Sequence, residues 1–170
     1  TMLQQPDLSE EERLEYAKAI TDASRRLSSL ITNILKLNKL ENQQIYPAVE
    51  TYDLAEQLCE CLLSFEDAWE KKNMEIDTDL EEEVFVSTDA ELLSLVWNNL
   101  FSNAVKFTEV GTISFNACYH EGELLLEVKD TGIGMSAETL SRIFRPFERL
   151  SSLANVQGFG LGLPITKGLV

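Results

Sequence analysis

Leu92, Val96, Asn99, Asn103 and Lys106 are spaced four, three, four and three residues apart, so on a helix they share one face. That face starts apolar and ends in two amides and an ammonium. Amide carbonyls suit Mg²⁺, which takes oxygen ligands, and a neighbouring lysine suits a phosphate. A solvated polar face is the competing reading. A second cluster follows a strand pattern. Leu124, Leu126, Val128 and Asp130 alternate onto one side, so a carboxylate ends a core-facing row. There it costs several kcal/mol unless hydrogen-bonded, and an adenine amino group is a suitable donor. Thr131-Gly132-Ile133-Gly134 comes next, and two glycines permit close backbone approach to a ligand; a capped turn is the plain alternative. Gly158-Phe159-Gly160-Leu161-Gly162-Leu163 then leads into a helix whose free N–H groups could cradle phosphate, or else forms a hinge. Between them Phe144-Arg145-Pro146-Phe147 and Arg149 precede a stretch with the composition of a lid, from which Arg149 could reach a phosphate.

These residues need elements to hold them. Ser9-Glu10-Glu11-Glu12 is a capping box that opens a helix to about Glu41. Ile20, Leu27 and Ile34, and Ala23, Leu30 and Leu37, recur every seven residues, and Ile31 and Leu35 widen the stripe to a bundle-forming face. The helix is expected to dimerise or meet a further helix, with packing back onto the following domain as the alternative. Asp53 caps a helix predicted to about Lys72, and Asp89 one to about Phe107, whose second stripe, Leu93, Trp97, Leu100, Ala104 and Phe107, serves as its core face. Short strands are expected at Tyr46–Tyr52, Met74–Asp79 and Val84–Ser87. Thr112–Tyr119 and Glu123–Lys129 form a hairpin, Ser136 caps a short helix to Phe144, and a last helix starts near Gly160. The order gives an α+β class with antiparallel pairing: a two-layer α/β sandwich preceded by a long bundle-forming helix.

The chain has 170 residues and a net charge of −15, which argues against a nucleic-acid or anionic-membrane surface. Residues 1–99 carry 8 basic and 22 acidic residues and residues 100–170 carry 6 and 7, so an anionic small ligand fits the second part better. Cys59, Cys61 and Cys118 form no disulfide framework, and with one histidine there is no zinc set. No apolar run reaches the ~18–20 residues of a membrane span. A reducing, cytoplasmic setting is expected.

In order, these pieces resemble the ATP-binding domain of sensor histidine kinases, within the Bergerat-type group shared with gyrase, Hsp90 and MutL. Asn99-Leu-Phe-Ser-Asn103-Ala-Val-Lys106-Phe107-Thr108 looks like the N box and Asp130-Thr-Gly132-Ile-Gly134-Met the G1 box. Phe144-Arg-Pro-Phe147 looks like the F box and Gly158-Phe-Gly160-Leu-Gly162-Leu163 the G2 box. The arm ending Leu37-Asn-Lys-Leu-Glu41 is similar to the second helix of the family's dimerisation and phosphotransfer domain. The resemblance implies residues 1–44 as that helix and 45–170 as the catalytic domain. It implies Asn103 as the Mg²⁺ ligand with Asn99 beside it, and Lys106 and Arg149 on the phosphates. It implies Asp130 on the adenine amino group and Phe107 against the base. Gly132, Gly134, Gly158, Gly160 and Gly162, with Phe147 and Leu163, would shape pocket and lid. Hydrolytic relatives carry a glutamate at the position of Asn99; an amide cannot be that base, which favours phosphoryl transfer to a histidine over ATP hydrolysis.

The implied cofactors are ATP and Mg²⁺. The implied partners are a response-regulator receiver domain and, through the arm, a second copy of the chain. The only histidine, His120, lies in the hairpin and is read as incidental, so the acceptor histidine is expected outside this sequence and autophosphorylation of this chain alone is not expected. The chain reads as a fragment beginning after the acceptor helix and ending inside the last helix. Phe159 and Arg145 depart from the family pattern. A nucleotide-binding regulatory module without kinase activity is the alternative.

Overall fold

Ser9 opens the first helix as its sequence requires. Its hydroxyl accepts the Glu12 N–H at 3.2 Å, and the Glu12 carboxylate accepts the Ser9 N–H at 2.9 Å. That backbone hydrogen bond, with a second from the hydroxyl, holds the Glu12 carboxyl below its ordinary pKa. The computed structural model describes residues 9–42, 46–80, 84–120, 123–148 and 158–170. After α1 (Glu10–Glu41) come β1 (Glu50–Asp53), α2 (Leu54–Leu63), α3 (Glu66–Lys71), β2 (Glu75–Leu80) and β3 (Phe85–Thr88). Then follow α4 (Ala90–Phe107), β4 (Thr112–His120), β5 (Glu123–Asp130), α5 (Ala137–Leu140) and α6 (Gly162–Leu169).

The strands form a pair, β1 with β3, and a three-stranded sheet ordered β2-β4-β5. β1–β3 and β4–β5 are antiparallel, as expected, but β2 runs parallel to β4. A parallel pair needs a long crossover, which β3 and α4 provide. Ile113, Phe115 and Ala117 of β4 point inward and are almost fully buried, joined by Leu126 and Val128 of β5. Leu54, Leu58 and Leu62 of α2 and the buried side of α4 cover them. This is the expected α+β two-layer arrangement.

The strand expected at Tyr46–Tyr52 is confined to Glu50–Asp53, and three helix boundaries also differ from the sequence reading. The helix expected from Asp53 to Lys72 is two helices. The Ser64 hydroxyl bonds the Cys61 carbonyl at 2.7 Å, and Phe65 leaves helical geometry, turning its ring edge-on to Phe101 at 5.2 Å. Trp69 meets the same ring at 5.8 Å, so one bend lets two aromatics converge on Phe101. The helix capped by Ser136 ends at Leu140 rather than Phe144. There Ser141 bonds the Glu138 carbonyl at 2.7 Å, and the N–H groups of Arg142 and Arg145 reach carbonyls three residues back. The last helix starts at Gly162.

The core face of α4 is also wider than the expected stripe. Phe101 is fully buried with Val96, Trp97, Ala104 and Val105, while Leu100 and Phe107 are half-buried. α4 packs against α2, α6 and β5 at once, so Val96, Phe101 and Val105, which flank the expected stripe, are buried as well. Cys61 belongs to this core, where burial pushes its thiol up to about 11; Cys59 and Cys118 are exposed.

The arm takes the alternative course on one side. The half-buried positions of α1 include Asp22, Leu30, Asn33, Leu37 and Leu40, one helical face, and its C-terminal half packs on α6. The other face stays open, with Ile20, Leu27 and Ile34 all exposed.

Candidate functional site

α4 is fixed at both ends. At its start the Asp89 carboxylate accepts the N–H groups of Leu92 at 2.9 Å and Ala48 at 2.6 Å, which lower its pKa. At its end the Lys72 ammonium donates to the carbonyls of Val105 and Thr108, each at 2.8 Å. A cation on orphan carbonyls opposes the negative end of the helix dipole. Lys72 had no motif to reveal it, because it lies 33 residues from the carbonyl it caps.

Held this way, α4 presents Asn98, Asn99, Ser102, Asn103, Lys106 and Phe107 to a cleft of about 970 Å³. Gly158, Gly160, Gly162 and Leu163 line the same cleft from the start of α6. Asn99, Asn103, Lys106, Phe107 and the residues from 158 to 163 are thus brought together as the sequence reading required. Asn98 and Ser102 were missed, although both follow the helical spacing.

The two amides are in different states. Asn99 donates to the Gly162 carbonyl at 3.2 Å and the Thr166 hydroxyl at 3.4 Å, so it ties α4 to α6. A methyl at Gly162 would come within 3.1 Å of its Oδ1. Among the described residues no hydrogen bond claims the side chain of Asn103, whose carbonyl is free for a ligand in the cleft. Lys106 remains accessible, yet partial loss of water around its ammonium lowers its pKa. An anion is the natural compensation for such a group. Arg142, by contrast, is paired with Glu148 at 2.5 Å and Glu138 at 3.5 Å.

Asp130 corrects one expectation. It has the parity of Leu126 and Val128 but is exposed: its cross-strand partner Ile113 is fully buried, while Asp130 sits at the last position of the edge strand β5. Its Oδ1 accepts the Gly132 N–H at 2.9 Å, a capped turn. That turn is stitched to α4: the Ile133 N–H reaches the Phe107 carbonyl at 3.2 Å, and a methyl at Gly132 would meet that carbonyl at 2.5 Å. Asp130, Gly132, Gly134 and Phe147 adjoin the cleft without lining it. Phe147, in a left-handed conformation, donates its N–H to the Gly160 carbonyl at 3.0 Å. Arg149 lies outside the described residues.

The lining therefore combines an uncommitted amide, a partly desolvated ammonium and a glycine-rich helix start. Residues 88–170 match the family described as histidine kinase-, DNA gyrase B-, and HSP90-like ATPase. Across 96% of its length the chain is 34% identical to drug sensory protein A of Synechocystis. It is equally identical, again over 96% of its length, to the circadian input-output histidine kinase CikA of Synechococcus elongatus. The chain belongs to the sensor histidine kinase family through its ATP-binding domain. It spans 26% and 22% of those two proteins. Among solved structures, the full-length histidine kinase ShkA in complex with AMPPNP matches 99% of this chain, arm included, at a TM-score of 0.79 and 28% identity, over 35% of its own length. The catalytic domain of histidine kinase ThkA matches 72% of this chain at a TM-score of 0.64 and 27% identity, over 79% of its length. The histidine kinase fold thus accounts for both the catalytic layers and the arm's placement.

Proposed function

We propose that this chain binds Mg·ATP in the cleft between α4 and α6 and serves the transfer of the γ-phosphoryl group to a histidine outside these 170 residues, for relay to a response-regulator aspartate. The observation that carries this reading is the free Asn103 carbonyl beside Lys106 in one cleft, next to an Asn99 already committed to α6. Among the described residues no three His, Cys, Asp or Glu side chains could hold a metal together. One amide oxygen plus phosphate oxygens and water is, however, a sufficient Mg²⁺ set. Bound there, Mg²⁺ would neutralise phosphate charge. Asn103 would hold it, Lys106 would bind phosphate oxygens, and the N–H groups from Gly160 to Leu163 would cradle the phosphates. Asp130 would accept the adenine amino group on the carboxylate oxygen that Gly132 leaves free, with Phe107 against the base. Arg149 would close on the phosphates. Asn99 cannot take a proton from water, and its N–H groups are spent on α6, so positioning and charge neutralisation carry catalysis.

Residues 1–44 act in this reading as the bundle helix and residues 45–170 as the catalytic domain. The exposed seven-residue repeat of Ile20, Leu27 and Ile34 supports homodimerisation through α1. A cytoplasmic location fits the reaction; among the described residues no helix is long and apolar enough to cross a membrane. The test supplies ATP labelled at the γ-phosphorus and a separate acceptor helical hairpin. Mg²⁺-dependent label on the hairpin's histidine, lost in Asn103→Ala, is the expected result. Tight nucleotide binding without transfer would favour a regulatory module, and steady phosphate release without an acceptor would favour a hydrolytic ATPase.

A further inference from the structure

The face that α1 turns to the catalytic domain changes character along its length. Leu37 and Leu40 sit at its C-terminal end, where a methyl at Gly168 of α6 would lie 3.3 Å from Leu40. Two to three turns earlier polar residues flank Leu30 on that face, and Arg25, Arg26, Ser29 and Asn33 line the same cleft as Asn103 and Lys106. A helix that only rested on α6 would have no use for arginines there. The cleft's third arginine, Arg142, is neutralised by Glu138 and Glu148. Among the described residues Arg25 and Arg26 have no ion pair. Unpaired at salt-bridge distance, they add positive charge to a cleft in which Lys106 is already partly stripped of water, with Asp22 one turn earlier as the nearest carboxylate on their helix. They also stand in the strongly acidic half of the chain, where an exposed basic pair at the wall of a cleft is against the local trend.

We infer that Arg25 and Arg26 bind the polyphosphate of the nucleotide, so that the arm forms a wall of the phosphate site as well as a bundle helix. Arg26 carries the larger share, because with Ser29 and Asn33 it continues the Leu37–Leu40 face, whereas Arg25 lies at its edge. Guanidinium groups suit this task through forked donation to phosphate oxygens. Nucleotide binding and docking of the arm then strengthen each other by the same factor. The inference rests on the nucleotide reading of the cleft, and its test separates the two.

AMPPNP with Mg²⁺ is titrated into the full chain, its Arg26→Ala and Arg25→Ala/Arg26→Ala variants, and Arg13→Ala. Arg13 lies on the same helix roughly 18 Å away by helical rise. The account expects the double variant to bind about tenfold more weakly or worse, the single variant to fall between, and Arg13→Ala to match the parent. Binding unchanged in the double variant overturns this inference alone. Equal weakening in Arg13→Ala reduces the effect to net charge and also overturns it. No binding by the parent chain overturns the cleft reading and this inference together. A thermal melt of each variant shows whether the fold is kept. A double variant that melts early while its AMPPNP affinity, measured below its melting range, equals the parent's counts against the inference.

Discussion

Gly160 is where a single methyl should do most damage. Its φ is +67°, a left-handed conformation that costs a residue with a Cβ about 1–2 kcal/mol. The added methyl would stand 3.0 Å from the Glu148 nitrogen and from the Phe147 carbonyl carbon, and closer still to the Glu148 oxygen. These are backbone atoms and cannot rotate aside, which adds about 1–3 kcal/mol of overpacking. Together Gly160→Ala should cost about 2–5 kcal/mol, or else the chain escapes by releasing the Phe147 N–H bond to the Gly160 carbonyl. Gly158, two residues away, is the control: among the described residues nothing lies within 4 Å of its added methyl, and its φ is outside the left-handed region. Urea unfolding followed by tryptophan fluorescence is a suitable probe, because Trp97 is buried in the core. AMPPNP titration beside it detects the escape route as lost affinity. Gly160→Ala should fall clearly below the parent in one measurement or both, with Gly158→Ala close to the parent. Equal behaviour of the two variants in both measurements refutes the reasoning.

Further outcomes follow from the same geometry. Asn103→Ala should leave the melting temperature almost unchanged, since no side-chain hydrogen bond among the described residues is lost, while removing most of the gain in nucleotide affinity that Mg²⁺ confers in titrations with and without the metal. Lys72→Met should destabilise by about 1–3 kcal/mol in urea, because the carbonyls of Val105 and Thr108 lose their shared donor. Lys106 gives a pH signature. Its folded pKa is lowered, so its charged form costs stability at neutral pH, and that cost vanishes as pH rises through the folded value toward the unfolded value of about 10.4. Lys106→Met should therefore melt later than the parent at pH 7, with the difference shrinking on the alkaline side, yet bind AMPPNP more weakly. An earlier melt at pH 7 would contradict the desolvation argument.

Local patterns made much of this legible. The capping box at Ser9, the caps at Asp53, Asp89 and Ser136, and the face carrying Asn99, Asn103 and Lys106 follow from spacing within one helix, and each is found in the structure. The features that escaped depend on partners distant in sequence. Phe65 breaks its helix because Phe101 waits 36 residues on, and Lys72 caps a helix that is not its own. Asp130 has the right parity and faces the buried Ile113, yet it is exposed at the end of the edge strand, and alternation cannot show which strand lies at an edge. Arg26 and Asn33 belong to no local motif, and only the packing of α1 brings them to the cleft.

The central claim is an adenine nucleotide site spanning α4, the Asp130 turn and the start of α6. Calorimetric titration of AMPPNP, with and without Mg²⁺, into the parent chain and Asp130→Asn tests it most directly. The asparagine keeps an Oδ1 acceptor for the Gly132 N–H, so the turn survives while the carboxylate offered to the adenine amino group is lost. The account predicts saturable, Mg²⁺-enhanced binding that weakens in Asp130→Asn. A folded parent chain that does not bind, or an Asp130→Asn variant that binds as tightly as the parent, would contradict it.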